Sequence, residues 1–265
     1  MACTDNEKLR VVYGDFTLGV HGVGFDYIFS YAQGGLESIV KDGYEWLYRC
    51  PKPTFWRALT DNDRGSKFHI KSGNWLAADM FIDFQDVKVI MDGAVQNCKA
   101  PDNNSYGGDV SANEITVKYL YKTISIPSTE VIVSYTVNKS GKIKVDVHYS
   151  GKTGLPEFPV FGMRFIMPTL ADKYIYKGLS GETYPDRKAG AQHGEFEVTD
   201  LSLTPYIVPQ ECGMRMDTEW PIHHLTFPAC HIRQVKLRML CIMKNYHQRE
   251  ELYCAYMAQF AVLVV

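Results

Sequence analysis

Long apolar runs are missing from this sequence: the longest, Phe260 to Val265, is far short of the roughly 20 residues that a bilayer span requires. No membrane association is expected. The opening stretch, Met1 to Arg10 (MACTDNEKLR), lacks the apolar segment of a secretory leader and carries acids where such a leader carries bases. Charge of one sign is missing too. Lys and Arg number 28 against 30 Asp and Glu, a net charge of −2, and no basic stripe or tail stands out, so nucleic acid is not an expected partner. Paired cysteines are lacking as well, because the seven present (Cys3, Cys50, Cys98, Cys212, Cys230, Cys241, Cys254) are odd in number, irregularly spaced and without a Cys-x-x-Cys. Free thiols in a reducing cytoplasm are the expectation, and the sequons at Asn103 and Asn138 then go unused, since glycosylation needs the secretory route.

What is present is β-pattern. At 265 residues the chain is long enough to bury a core without staples, as one large all-β domain or two small ones. Short runs rich in Val, Ile, Tyr, Phe and Thr predict strands at Leu9–Tyr13, Phe25–Tyr31, Glu114–Thr123, Val131–Val137 and Lys142–Tyr149. Asn138–Gly141 reads as a hairpin turn, and Asp42-Gly43 and Asp92-Gly93 mark others, so neighbouring strands should be antiparallel. Ile143, Val145, Val147 and Tyr149 alternate with Lys144, Asp146 and His148, which suits a sandwich with one wet face. Asn74–Phe81 is the one helical turn expected in the first half, with Trp75, Ala78 and Ile82 on a shared face. Lys99–Asn113, polar and without period, reads as an exposed loop.

Charge is concentrated in Phe55–Gly65, FWRALTDNDRG, where two aromatics precede Arg57, and Asp61, Asn62 and Asp63 precede Arg64 and Gly65. On its own this is an Asx-rich turn whose carboxylates accept backbone N–H bonds, with Arg57 satisfying one of them; the sharper alternative is an acid-bearing functional loop. A second group, Glu182, Tyr184, Asp186 and Arg187 in GETYPDR, imitates a catalytic acid pair or, with His193, a metal site. Pro185 fixing a turn and an Asp186–Arg187 pair anchoring loop to sheet is the preferred reading.

These motifs, together with FSYAQGGLES (Phe29–Ser38), EWLYR (Glu45–Arg49), IPSTEVIVSYTV (Ile126–Val137), LSGETYPDRKAGA (Leu179–Ala191) and TPYIVPQECGMRM (Thr204–Met216), make the chain similar to the C-terminal region of glycoside hydrolase family 2 β-galactosidases from Leu9 to about Glu219. Some bacteria make that region as a separate small subunit. The resemblance implies a large antiparallel β-supersandwich of the galactose mutarotase type, packed beside a barrel on a large catalytic subunit whose galactoside site it completes. Retaining glycosidases need two carboxyl groups about 5 to 5.5 Å apart. In this family both are glutamates of the barrel, and no alternating βα pattern here builds one. The chain is therefore expected to hold no catalytic residue and no cofactor; Mg and Na are expected on the large subunit. What it would contribute is the segment after Asp61–Arg64, a loop that opens and closes over galactose: Gly65, Ser66, Lys67, Phe68 and His69, running on to Asn74, with Gly65 as hinge. Val208-Pro209 offers carbonyls of the kind that hold a monovalent cation in some relatives, but is not taken as a metal site.

After Glu219 the resemblance stops. Residues 221–265 hold three of the seven cysteines, four of the eight histidines and no glycine. Cys230, His231, Cys241, His247 and Cys254 match no tetrahedral zinc spacing. Shifting the codon frame from Phe227 restores family-like sequence: Met243-Lys244 then forces Glu, Met257-Ala258 forces Gly, and the run Leu-Pro-Tyr-Thr-Ala followed by His-His-Glu-Glu-Leu-Pro-Pro becomes available. A frame-shifting deletion near Trp220–Thr226 is the expectation, leaving the family's Asp-Ser-Trp motif unencoded and the last strand edges bare. Domain 1–220 would then be followed by an anomalous tail. Two other readings stay open: an inactive relic, and a stand-alone sugar-binding or sugar-epimerising sandwich.

Overall fold

The computed structural model describes residues 8–97, 110–168, 174–184, 186–199, 211–218, 220–225, 235–238, 244–245 and 258–264, the last four spans as backbone only. In chain order the first strands are β1 (Leu9–Tyr13), β2 (Thr17–Gly22), β3 (Phe25–Ser30), β4 (Gly35–Lys41), β5 (Tyr44–Glu45) and β6 (Arg49–Thr54). After two short helices come β7 (Asp83–Met91), β8 (Ala94–Gln96), β9 (Val110–Ala112), β10 (Glu114–Lys122), β11 (Glu130–Asn138), β12 (Ile143–Tyr149) and β13 (Gly162–Ile166). Then follow β14 (Tyr174–Leu179), β15 (His193–Val198), β16 (Trp220–Leu225), β17 (Val235–Arg238), β18 (Lys244–Asn245) and β19 (Ala258–Val264).

Two antiparallel sheets make the sandwich, one in the order β5-β4-β3-β2-β1-β9 and the other β18-β19-β12-β11-β10-β7-β8. The cause is visible in the burial. Along β10, β11 and β12 every second side chain is buried, because a strand turns successive side chains to opposite faces. Val117 opposes Tyr135 and Tyr119 opposes Val133, all four fully buried. Each such aliphatic side chain contributes about 1.5–3 kcal/mol on burial. The buried tyrosines also carry their hydroxyls across to the facing sheet: Tyr119 donates to the Gly35 carbonyl at 3.1 Å, Tyr121 to that of Gly34, and Tyr27 to that of Gly141 at 2.6 Å. A phenylalanine at these positions would leave the carbonyls without that donor.

The expected turns are where the sequence places them. Asp42-Gly43 and Asp92-Gly93 both have positive φ at each residue, the pattern of a tight hairpin turn. Asn138 Oδ1 accepts from the Ser140 and Lys142 N–H groups, both at 3.1 Å. Gly141 sits at φ 73°, against the Phe25 ring, where a side chain would collide.

Three expectations change. Asn74–Phe81 is helical only in a 3₁₀ turn at Gly73–Trp75, although Trp75, Ala78 and Ile82 do face inward; helical turns instead precede it, at α1 (Asp61–Gly65) and α2 (Phe68–Lys71). Of the supposed loop Lys99–Asn113, residues 99–109 lie outside the described residues, but Val110–Ala112 is β9, paired to β1. The tail was expected to leave the last strand edges bare, but within it Ala258–Val264 pairs in register with β12. A free strand edge offers a row of N–H and C=O groups to any β-prone segment, whatever its origin.

Two smaller sheets, β13-β6 and β15-β14-β16-β17, carry the segments that surround the charged motif.

Candidate functional site

Phe55 and Trp75 stack with ring centroids 5.2 Å apart, and Phe161 lies 5.6 Å from Phe55. Phe55, at the start of FWRALTDNDRG, is fully buried and fixes where the polar end emerges. Thr60 caps α1: its hydroxyl accepts from Asp63 N–H at 3.2 Å, while Asp63 Oδ2 accepts from Thr60 N–H at 2.8 Å. This reciprocal capping box starts a helix of five residues, too short to persist on propensity. Arg57 supplies the rest. Its guanidinium grips the Asp63 carboxylate with both nitrogens, at 2.7 and 3.1 Å, the strongest geometry such a pair offers. Burial pushes the Asp63 carboxyl up, but Arg57 and the Thr60 N–H and hydroxyl outweigh it, so its pKa is lowered. Asp61 meets Arg64 at 2.7 Å on the half-exposed face, where an ion pair contributes little.

Two distant segments close on this helix. Asn62 donates to Asp186 Oδ2, and the Ala58 N–H donates to Glu211 Oε2 at 3.0 Å. The Tyr184 hydroxyl lies 2.8 Å from Glu182 Oε1 and 2.9 Å from the Glu211 carbonyl; burial and then Glu182 push it above the ordinary tyrosine range. Glu182 also accepts from Gly213 N–H at 2.8 Å, and Thr183 accepts from Met216 N–H at 2.8 Å. The three family-like segments, 55–65, 179–191 and 211–216, are thus one hydrogen-bonded unit.

This corrects the reading of Asp186 and Arg187 as a pair anchoring loop to sheet. Asp186 holds the helix through Asn62, and Arg187 lies over the Tyr184 ring, 4.5 Å from its centroid, a cation–π contact. Pro185, Val208, Pro209 and the tail residues Cys230, His231, Cys241, His247 and Cys254 lie outside the described residues. His193, in β15, is exposed, and among the described residues no group of three His, Cys, Asp or Glu is placed to hold a metal.

Gly65, Ser66, Lys67, Phe68 and His69 form the outer lip of the unit. Ser66 closes α1, its hydroxyl donating to the Asp63 carbonyl at 3.3 Å, and His69 Nδ1 lies 3.4 Å from the same carbonyl. Gly65 ends the helix without positive φ, and a Cβ there meets nothing within 4 Å. The left-handed backbone belongs to Lys67, at φ 57°. Sequence reasoning passed over Thr60, although its T-x-x-D spacing to Asp63 is a capping signal, and over Glu211 and Thr183, for which local sequence gives none.

Chemically, the unit holds its carboxylates in fixed contacts below the lip. Asp61, Asp63, Glu182, Asp186 and Glu211 each hold a neighbour, and Asp63 moves opposite to the raised pKa that a general acid needs.

A family model described as β-galactosidase small chain matches residues 21–238, a span that takes in all three segments and runs past the expected boundary at 220. The chain is 58% identical over 216 residues to a β-galactosidase small subunit from Latilactobacillus sakei, covering 81% of this chain and 68% of that one. It is 36% identical over 193 residues to a β-galactosidase of Clostridium acetobutylicum and 32% identical over 212 residues to one of Streptococcus thermophilus, spanning 19% of each.

Proposed function

The chain belongs to the β-galactosidase small-chain family, and from that premise we propose that it is the non-catalytic subunit of a two-chain β-galactosidase, acting in the cytoplasm. It would dock on a large subunit carrying both catalytic glutamates and help complete the site that hydrolyses terminal β-D-galactosides such as lactose. The observation that carries this is the bidentate Arg57–Asp63 pair: it spends the motif's central carboxylate on structure and holds the lip from Gly65 to His69 at the surface, next to where a partner's sugar site would lie. The fusion of the equivalent segment into longer chains named β-galactosidase supports the same reading.

The test is reconstitution. Purified small chain should show no turnover of lactose, and adding it to the large subunit should raise turnover well above that of the large subunit alone. Undiminished activity of the large subunit without it would overturn the reading, as would galactose binding or mutarotation by this chain unaided.

The tail bears on whether the complex forms. We infer that residues 221–265 derive from a shifted frame, on the strength of the Glu and Gly that the Met243-Lys244 and Met257-Ala258 junctions force and of the lack of glycine in a segment where β-turns are needed. Sequencing the nucleotides settles it: codons that exclude the shifted reading would reject the inference.

A further inference from the structure

Eleven large apolar side chains stay exposed among the described residues, and six of them, Ile70, Leu76, Met80, Phe81, Ile124 and Ile126, fall on just two short segments, 70–81 and 124–126. Those segments are stapled to each other. Asn74 Nδ2 donates to the Ile126 carbonyl at 2.9 Å, and Ile126 N–H donates back to Asn74 Oδ1 at 3.0 Å. From beneath, Trp75, Ala78 and Ile82 pin the first segment into the core. An apolar cap is therefore held rigidly outward, with Met80 73% and Ile126 83% exposed. Single exposed apolar residues mean little, but a cluster of this kind marks an interface.

Met80 belongs also to the wall of a cavity of about 360 Å³, whose charged lining is Arg49, Lys52, Arg164 and Asp79. Asp79 is already engaged, 3.3 Å from Arg164 and 3.2 Å from the Thr54 hydroxyl. Arg49 and Lys52, both on β6, have no ion-pair partner among the described residues. Glu37, near enough to help raise the buried Cys50 thiol to about 11, is not in the lining. The cavity thus keeps two uncompensated positive charges beside an apolar rim.

We propose that the basic cavity and the apolar cap form one docking face, which takes an apolar segment bearing an acidic side chain from the large β-galactosidase subunit. The assignment rests on the reading of this chain as a small subunit. Charge complementarity selects the acid. The relatives select its source: where the equivalent segment is 19% of a single β-galactosidase chain, its contacts with the remainder are internal, and a separate small chain must rebuild them between subunits.

Titrating full-length small chain into the large subunit tests this. Arg49→Glu combined with Lys52→Glu should weaken binding at least about tenfold and flatten its salt dependence, and Met80→Asp or Ile126→Asp should each weaken it by about tenfold or more. Val95→Asp, at a 71% exposed position elsewhere, should change nothing. Hydrogen exchange in the wild-type complex should slow at 70–81 and 124–126, which reports on the face without any substitution. Wild-type affinity in the variants, or unprotected segments in the complex, overturns the docking face while leaving the subunit reading intact. Wild-type chain that fails to bind the large subunit overturns both, and self-association lost in the same variants would give the face to a second copy of this chain.

Discussion

Tyr135, in the middle of the seven-stranded sheet, has no exposed surface and is ringed by Phe29 and Tyr119 at 5.9 and 6.0 Å, whereas Asp63, in a helix of five residues, is ringed by a guanidinium, a hydroxyl and a backbone N–H. The first environment is shaped by the removal of apolar surface from water, which is non-directional and spread over dozens of side chains. The second depends on a few directional bonds, each of which fixes the angle of the next. Damage should therefore spread differently: in the sandwich it should lower stability, and in the motif unit it should chiefly displace the exposed lip at Gly65–His69.

The largest effect should come from Trp75→Ala, which removes the ring stacked on Phe55 and the indole N–H donated to the Pro156 carbonyl at 2.7 Å. A loss of about 3–5 kcal/mol is expected for a buried tryptophan, read from urea unfolding. A loss no larger than that of a surface change would break the comparison on the apolar side.

Arg57→Ala should come next, at about 2 kcal/mol, because it strands a buried carboxylate. The same variant sharpens the pH contrast. Asp63 has a lowered pKa, so its contribution is fully present above the unfolded carboxylate value near 3.9 and fades as pH falls below it; in Arg57→Ala that acid limb should flatten. The sandwich should fail at the other end. Burial pushes the Tyr149 hydroxyl up to about 12 and also raises those of Tyr27, Tyr121 and Tyr135. Stability from these groups is whole below the unfolded tyrosine value near 10 and is lost as pH rises through the folded values. An alkaline transition that ignored Tyr149→Phe and Tyr121→Phe would contradict this.

Lys67→Gly should stabilise the folded chain by about 1 kcal/mol, by relieving a left-handed backbone at a residue with a side chain. Gly65→Ala should be the smallest change, within about 1 kcal/mol and in the stabilising direction, since the added methyl meets open space in a helical conformation. That makes it a clean test of the hinge: lower turnover of the assembled enzyme without loss of stability would support motion at Gly65, and unchanged kinetics would remove it.

Much of the sandwich was legible in the residues. The alternation in Lys142–Tyr149 and the Asp42-Gly43, Asp92-Gly93 and Asn138–Gly141 turns were readable because each depends on neighbours within a few positions. Thr60 and Asp63 were readable by the same standard and were missed as a helix start, since the dense charge around them suggested a turn. The pairing of β9 with β1 was hidden by a long polar stretch before it, and that of β19 with β12 by a tail that departs from the family's composition.

The sequence by itself determined the all-β class, the inward faces of the central strands and, through its motifs, the family. Period-two burial and turn chemistry are local properties, and a chain carries them before it folds. Only the tertiary structure decided that Asn62 meets Asp186 across 124 positions and Ala58 meets Glu211 across 153, and that Met80, in a segment rich in exposed apolar side chains, lines a cavity whose Arg49 and Lys52 have no ion-pair partner among the described residues. Those relations depend on how loops close over the sandwich, where many partners compete for each donor and packing selects one.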